Sequence, residues 1–253
     1  MSAKRKGRKA PAARITAKAV KSKPPAKAHP KRKGWTPRAP TPAEKERARL
    51  ILERLQAAIP DWGPTLRFRN AFELLVATIL AAQASDESVN KVTEGLFEKY
   101  KGPADFVKAK PTELQKDVHS LGFFRQKAKA VQLMSQGLLE KFGGDVPRDV
   151  EPLTELHGVG RKTASIVAGA AYGVPSIAVD RHVARVANRL GFTKQTDPDR
   201  IELDLRARFE EKDWIRATWL LVLHGRRTCQ PTPKCPACVV RDLCPYPRKT
   251  TSL

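Results

Sequence analysis

Apolar residues recur three and four positions apart along most of this chain, and no segment sustains a two-residue alternation, so the pattern predicts helices and no sheet. The first helix opens at Thr41-Pro42-Ala43-Glu44, a capping box with proline in its first turn, and carries Ala48, Ile51, Leu52, Leu55 and Ile59 on one face. Gly63-Pro64 ends that pattern. Asn70, with Glu73 in the first turn, then caps a second helix that turns Phe72, Leu75, Val76 and Ile79 inward. Helical spacing continues through Asp86 to Tyr100, Pro111 to His119, Phe124 to Phe142 and Asp149 to Leu156, with Gly or Pro between them. Further helices are expected at Arg161 to Tyr172, Asp180 to Leu190, Pro198 to Phe209 and Asp213 to Leu223, the third opened by Asp197-Pro198. The expected fold class is all-α.

At 253 residues the chain can hold one large or two small cores. No apolar stretch approaches the roughly 20 residues that a bilayer demands, which predicts a soluble protein. Charge narrows the class further: 48 Lys and Arg against 26 Asp and Glu leave a net +22, the balance of a protein that meets a polyanion, with nucleic acid as the leading partner. Fourteen of the cations precede the first acidic residue, Glu44, yet the remainder of the chain is still basic. The start is rich in Ala and Pro and nearly free of aromatics, so it cannot bury enough apolar area to offset the entropy of ordering, and residues 1–43 read as a disordered basic tail. Two roles stay open for it, raising DNA affinity or merely solubilising the chain. Pro11, Pro24, Pro25 and Pro30 interrupt it as an amphipathic mitochondrial presequence.

Candidate chemistry gathers at Leu156-His157-Gly158-Val159-Gly160-Arg161-Lys162-Thr163 and, eighteen positions after Lys162, at Asp180 within Val179-Asp180-Arg181-His182. Gly158 and Gly160 suit a tight turn with positive φ and a close backbone approach, and the run Ala164, Ile166, Val167, Ala168 starts a helix behind it. Backbone N–H groups at such a helix start attract an anion, and a phosphate is the natural guest. Lys162, when neutral, is a nucleophile, and Asp180 is a carboxylate able to stabilise developing positive charge. Plainer roles stand beside these: Lys162 as a phosphate contact and Asp180 as an N-cap.

All four cysteines, Cys229, Cys235, Cys238 and Cys244, fall in one short segment. Such a cluster points to a metal rather than to disulfides. Zinc is the generic guest of four thiolates, although only Cys235-Pro236-Ala237-Cys238 forms a close pair here.

The hairpin motif, the later Val179-Asp180-Arg181-His182, Ala81-Ala82-Gln83-Ala84-Ser85-Asp86 and the closing cysteine loop together resemble the endonuclease III family, DNA glycosylases with strand-cleaving lyase activity. The likeness runs from roughly Arg47 to Tyr246. It implies two helical lobes with the active site in the cleft between them. One is a six-helix barrel with the helix-hairpin-helix, residues 64–174, and the other is an iron–sulfur lobe, residues 44–63 and 175–253. It also implies Lys162 as nucleophile, Asp180 as its carboxylate partner, and DNA contacts from Gln83, Leu121, Phe123, Gly158, Val159, Gly160 and Arg161. Gln83, Leu121 and Phe123 would be the residues that enter the duplex, with core packing the alternative for Leu121 and Phe123. The four cysteines would hold a [4Fe–4S] cluster, with five residues between Cys229 and Cys235 where the family has six. Phe123 stands where the family has a smaller aliphatic residue, which bears on opposite-base preference.

The function so implied is a bifunctional DNA glycosylase and abasic-site (AP) lyase of base excision repair, removing oxidised or ring-saturated pyrimidines from duplex DNA. Within the family, pyrimidine dimers, mismatched bases and abasic sites alone remain as alternative substrates. Outside it stands a non-catalytic helix-hairpin-helix DNA-binding protein. The expected partner is double-stranded DNA with damaged bases or abasic sites, with no membrane and a monomeric enzyme. The expected location is intracellular: cytoplasm or nucleoid in a bacterium, nucleus or mitochondrion in a eukaryote.

Overall fold

The computed structural model describes residues 36–251, and every regular element among them is a helix. Most of the tail, 1–43, lies outside the described residues. Thr36 to Thr41 is irregular, and α1 (Pro42–Ala58) begins just inside that range. It begins there because Thr41 Oγ1 accepts from the Glu44 N–H at 3.2 Å while Thr41 N–H donates to Glu44 Oε2 at 2.8 Å, the reciprocal bonds of a capping box.

There follow α2 (Ala71–Leu80), α3 (Asp86–Lys99), α4 (Pro103–Lys108), α5 (Pro111–Asp117), α6 (Phe124–Phe142), α7 (Val150–Thr154) and α8 (Arg161–Tyr172). After these come α9 (Arg181–Arg189), α10 (Pro198–Arg208) and α11 (Trp214–Arg227). One α-helix lies outside the expected segments, α4, in which Phe106 is the one buried residue; Gly102 and Pro103 start it. The last helix runs further than its apolar pattern, through His224 to Arg227.

The described residues form one compact unit with two hydrophobic cores. The first gathers α2 to α8 around Leu74, Leu75, Phe106, Met134 and Val167. The second joins the first helix to the later part of the chain, packing Ile51, Leu52 and Leu55 against Val183, Phe192, Leu205 and Leu220. Polar ties fix that long-range closure: Arg47 Nη1 donates to the carbonyls of Leu190 (2.9 Å) and Leu243 (3.0 Å), and Arg54 pairs with Asp242 at 2.7 Å. No helix among the described residues is long and apolar enough to cross a membrane.

Candidate active site

A cleft of about 1090 Å³ is lined by residues of both cores, among them Gln83, Asp86, Lys162, Asp180, His182, Trp219 and Arg226. Lys162 reaches it from the first turn of α8, behind a hairpin whose geometry follows from its glycines. Gly158 adopts φ +74°, and a Cβ there would lie 3.4 Å from Ala130 Cβ. Gly160 is different, since its backbone is extended (φ −81°) and a Cβ would meet nothing within 4 Å. The expectation of positive φ therefore holds for one glycine, and the second is bare toward the outside. Leu156 and Val159 anchor the turn in the core, and the Val159 N–H is spent on the Leu156 carbonyl at 3.1 Å. Both the side chain and the N–H of Val159 are thus used inside the turn. No side chain caps α8, so its first-turn N–H groups are left for an external acceptor.

Asp180 is the N-cap of α9: its Oδ1 accepts from the N–H of His182 (2.8 Å) and of Val183 (2.7 Å). Both bonds fall on one oxygen, so the capping role leaves the second to face the cleft. His182 lies beside it, and burial, with help from Arg185, Arg226 and Arg181, holds its imidazole below the usual histidine range against the pull of Asp180.

Arg161 is held within the protein. Its guanidinium does not stand free for a phosphate. Nε and Nη2 bind both carboxylate oxygens of the buried Glu202 at 2.8 and 2.9 Å, and Nη1 lies 3.5 Å from Glu151. The clamp commits that side chain to Glu202 and Glu151, while its backbone N–H lies in the uncapped first turn of α8.

The residues expected to enter the duplex divide. Gln83 and Phe123 are exposed and are the two non-glycine residues with positive φ among the described residues, +54° and +59°. Such a backbone costs of order 1–3 kcal/mol and persists where the surroundings impose it, commonly at functional sites. Phe123 is 59% exposed and is itself the N-cap of α6. Leu121, by contrast, is 1% exposed and belongs to the first core, the arrangement of its core-packing alternative.

Two groups in the cleft were not singled out from sequence. Burial pushes the Asp86 carboxyl up, but the Thr65 hydroxyl and the Arg226 guanidinium, 2.6 Å away, outweigh it and hold the acid below its ordinary value. Arg226 belongs to α11 and the second core, so this pair latches the two sides of the cleft. The signal available in the sequence was weak, since Asp86 reads as first-turn acid of α3 and Arg226 as one of many cations near the cysteines.

Away from the cleft, Cys229, Cys235, Cys238 and Cys244 ring one pocket with Arg189, His224 and Tyr246. Among the described residues no three His, Cys, Asp or Glu side chains converge closely enough for a single metal ion. Burial first, and then the neighbouring cysteines, raise the Cys238 and Cys244 thiols above their ordinary value. Arg189 Nη1 donates to Cys229 Sγ at 3.4 Å, and His224 Nε2 lies 3.7 Å from Cys238 Sγ.

An uncapped helix start, an amine, a carboxylate and the strained, exposed Gln83 gather around one cleft, an arrangement suited to a polyanion, and known proteins resemble this chain. The model of the HhH-GPD superfamily base excision DNA repair proteins matches residues 76–211. Endonuclease III of Bacillus subtilis is 42% identical over 197 residues, 77% of this chain and 90% of that protein. Endonuclease III of Synechocystis sp. is 42% identical over 205 residues, 80% of this chain and 94% of that protein. The solved structure of a trapped endonuclease III–DNA covalent intermediate, an estranged-adenine complex, superposes with a TM-score of 0.76 at 41% identity, over 80% of this chain and 96% of that one. The chain belongs to the endonuclease III family, within the base excision DNA repair proteins of the HhH-GPD superfamily.

Proposed function

We propose that this enzyme is a bifunctional DNA glycosylase and AP lyase that removes oxidised or ring-saturated pyrimidines from duplex DNA, with Lys162 as nucleophile and Asp180 as its carboxylate partner. The observation that carries the reading is that the exposed Lys162 and the N-cap carboxylate of Asp180 line the same cleft, beside exposed Gln83. The Lys162 amine adds to C1′ as the base departs with the bonding electrons, and the open-chain sugar is left as an imine. The imine acidifies the C2′ proton, whose loss expels the 3′ phosphate and nicks the strand. Asp180 stabilises positive charge on the sugar and accepts a proton from the adding amine. That an endonuclease III has been trapped in a covalent intermediate with DNA supports a protein nucleophile.

The first-turn N–H groups of α8 and bare Gly160 suit a DNA phosphate, and Gln83 and Phe123 suit the space left when a nucleotide leaves the stack. The two cores support a barrel lobe at 64–174 and a second lobe from 44–63 with 175–253. Cys229, Cys235, Cys238 and Cys244 would hold a [4Fe–4S] cluster in the second lobe: four sulfurs around a pocket, faced by Arg189 and His224, fit a cluster better than one ion. With four thiolates on it the cluster has no open position and serves structure. Four cysteines kept for a cluster rather than for disulfides suit an intracellular enzyme, and a monomer suffices for the site.

The test is borohydride trapping on duplexes carrying thymine glycol or an abasic site, with wild type and Lys162→Ala. Adducts on both duplexes that vanish in the variant are expected. An adduct on the abasic duplex alone would reduce the activity to a lyase, and none on either would leave a DNA-binding protein. Iron and acid-labile sulfide analysis of the purified protein, with Cys238→Ser for comparison, tests the cluster.

A further inference from the structure

Glu202 lies at the meeting point of three helices. It sits on α10, is buried, and takes both donors of Arg161 from α8 while Arg206 Nη2 lies 2.6 Å from its Oε1. Arg206 is itself fixed, with its guanidinium 4.6 Å over the Trp214 ring. Arg161 also reaches Glu151 on α7, so a single guanidinium ties both helices of the hairpin motif to α10. Those helices belong to different cores: α8 buries Ala164 and Val167 in the first, and α10 buries Ile201 and Leu205 in the second. Within the fold α8 packs chiefly on α2 and α7, and its later turns meet Ser176 and Ile215 at Gly169, so the polar tie is what holds its first turn, where Lys162 stands, to the other side of the cleft.

We propose that Glu202 is a positioning residue for the reaction: by gripping Arg161 it fixes the rotation of α8, and with it the reach of Lys162 into the cleft, and it withholds the Arg161 charge from DNA. Arg161 and Lys162 are consecutive, so on a helix their side chains diverge by about 100°. A guanidinium held at two atoms in one plane resists a roll of the α8 start more than a single hydrogen bond would. Position matters at this place because a nucleophile displaced by about 1 Å loses roughly 10²-fold in rate. Charge matters too, because an unclamped Arg161 at the hairpin would become a phosphate contact.

This inference rests on the nucleophilic reading of Lys162, and the test separates the two. Glu202→Gln is compared with wild type in single-turnover borohydride trapping on an abasic duplex, and in binding to an uncleavable tetrahydrofuran duplex over a range of salt. Trapping is expected to slow by roughly 10²-fold, binding to be no weaker, and the slope of log K against log salt to steepen by about 0.9 as Arg161 finds a phosphate. Adding Arg161→Met to Glu202→Gln restores the wild-type slope without slowing trapping further. Should Glu202→Gln fail to fold, Arg161→Met alone, in which Arg206 still neutralises Glu202, is expected to show the slow trapping at an unchanged slope. Unchanged trapping and slope in both variants overturn the proposal, and so does a parallel loss of trapping and binding that follows the loss of folded protein. If wild type forms no adduct, the Lys162 reading fails instead, and the salt slope alone then decides whether Glu202 holds Arg161 from DNA.

Discussion

Asp180 shows one side chain in two employments that a pair of substitutions separates. Its Oδ1 caps α9 through two backbone N–H groups, and an asparagine keeps an oxygen in that place. Asp180→Asn is therefore expected to melt near wild type in a thermal scan while base release falls by about 10²- to 10³-fold, the scale of one lost electrostatic group. Asp180→Ala should lose the same activity and about 1 kcal/mol of stability as well. Equal activity in wild type and Asp180→Asn would reduce the residue to a cap. Lys162, Asp180 and the cysteines were all legible in the sequence because their spacing is carried by local turns and helix starts. The clamp on Arg161 was not: Glu202 is forty-one positions away, and helical spacing shows only that it borders the apolar stripe of Ile201 and Leu205.

At the scale of the element, the hairpin between α7 and α8 places its two glycines under different constraints. Alanine at Gly158 would be strained at φ +74° and would press on Ala130, so Gly158→Ala is expected to cost more than about 1 kcal/mol in chemical denaturation. Alanine at Gly160 meets neither strain nor neighbour. Its stability should stay at the wild-type value while affinity for duplex DNA falls, because a methyl group then stands where a phosphate approaches. Equal affinity for wild type and Gly160→Ala would remove the α8 start from the DNA interface. The sequence offered both glycines as one turn, since φ is not written in residue type; the division between them appears only once the turn is folded against Ala130. The same holds for Leu121 and Phe123, two apolar residues flanking one glycine. One turns into the first core and the other, in a left-handed backbone, turns out.

For the whole molecule, charge and the cross-cleft latch set the response to solution conditions. Fourteen cations before Glu44 should add phosphate contacts without reading sequence. Removing residues 1–35 is expected to weaken binding to undamaged duplex and to flatten its dependence on salt, while the trapping rate at saturating DNA stays the same. An unchanged salt slope would assign that segment no part in binding. The latch responds to acid. Asp86 has a folded pKa below its ordinary value of about 3.9, so its contribution is fully present above that value and is lost as pH falls through the lower, folded one. Acid titration of stability should therefore lose a step below about pH 4 in Asp86→Asn, where the pairing of Arg226 with a charge is already gone. Coincident acid transitions in both proteins would show that the latch carries no stability.

Sequence by itself determined the helical class, nearly all helix starts, the basic balance and the gathering of the four cysteines, because each depends on periodicity, capping or counting over short distances. The amine and the carboxylate of the candidate site were visible for the same reason, each lying at its own helix start. Tertiary structure alone decided what these residues face. It closed α1 onto the later helices, set Lys162 and Asp180 on one cleft, drew Arg226 to Asp86 across it, buried Leu121, and turned Arg161 from a free cation into a clamp on Glu202. These outcomes depend on contacts between residues tens to well over a hundred positions apart, and helical spacing states which way a side chain leaves its own helix but not which helix it meets.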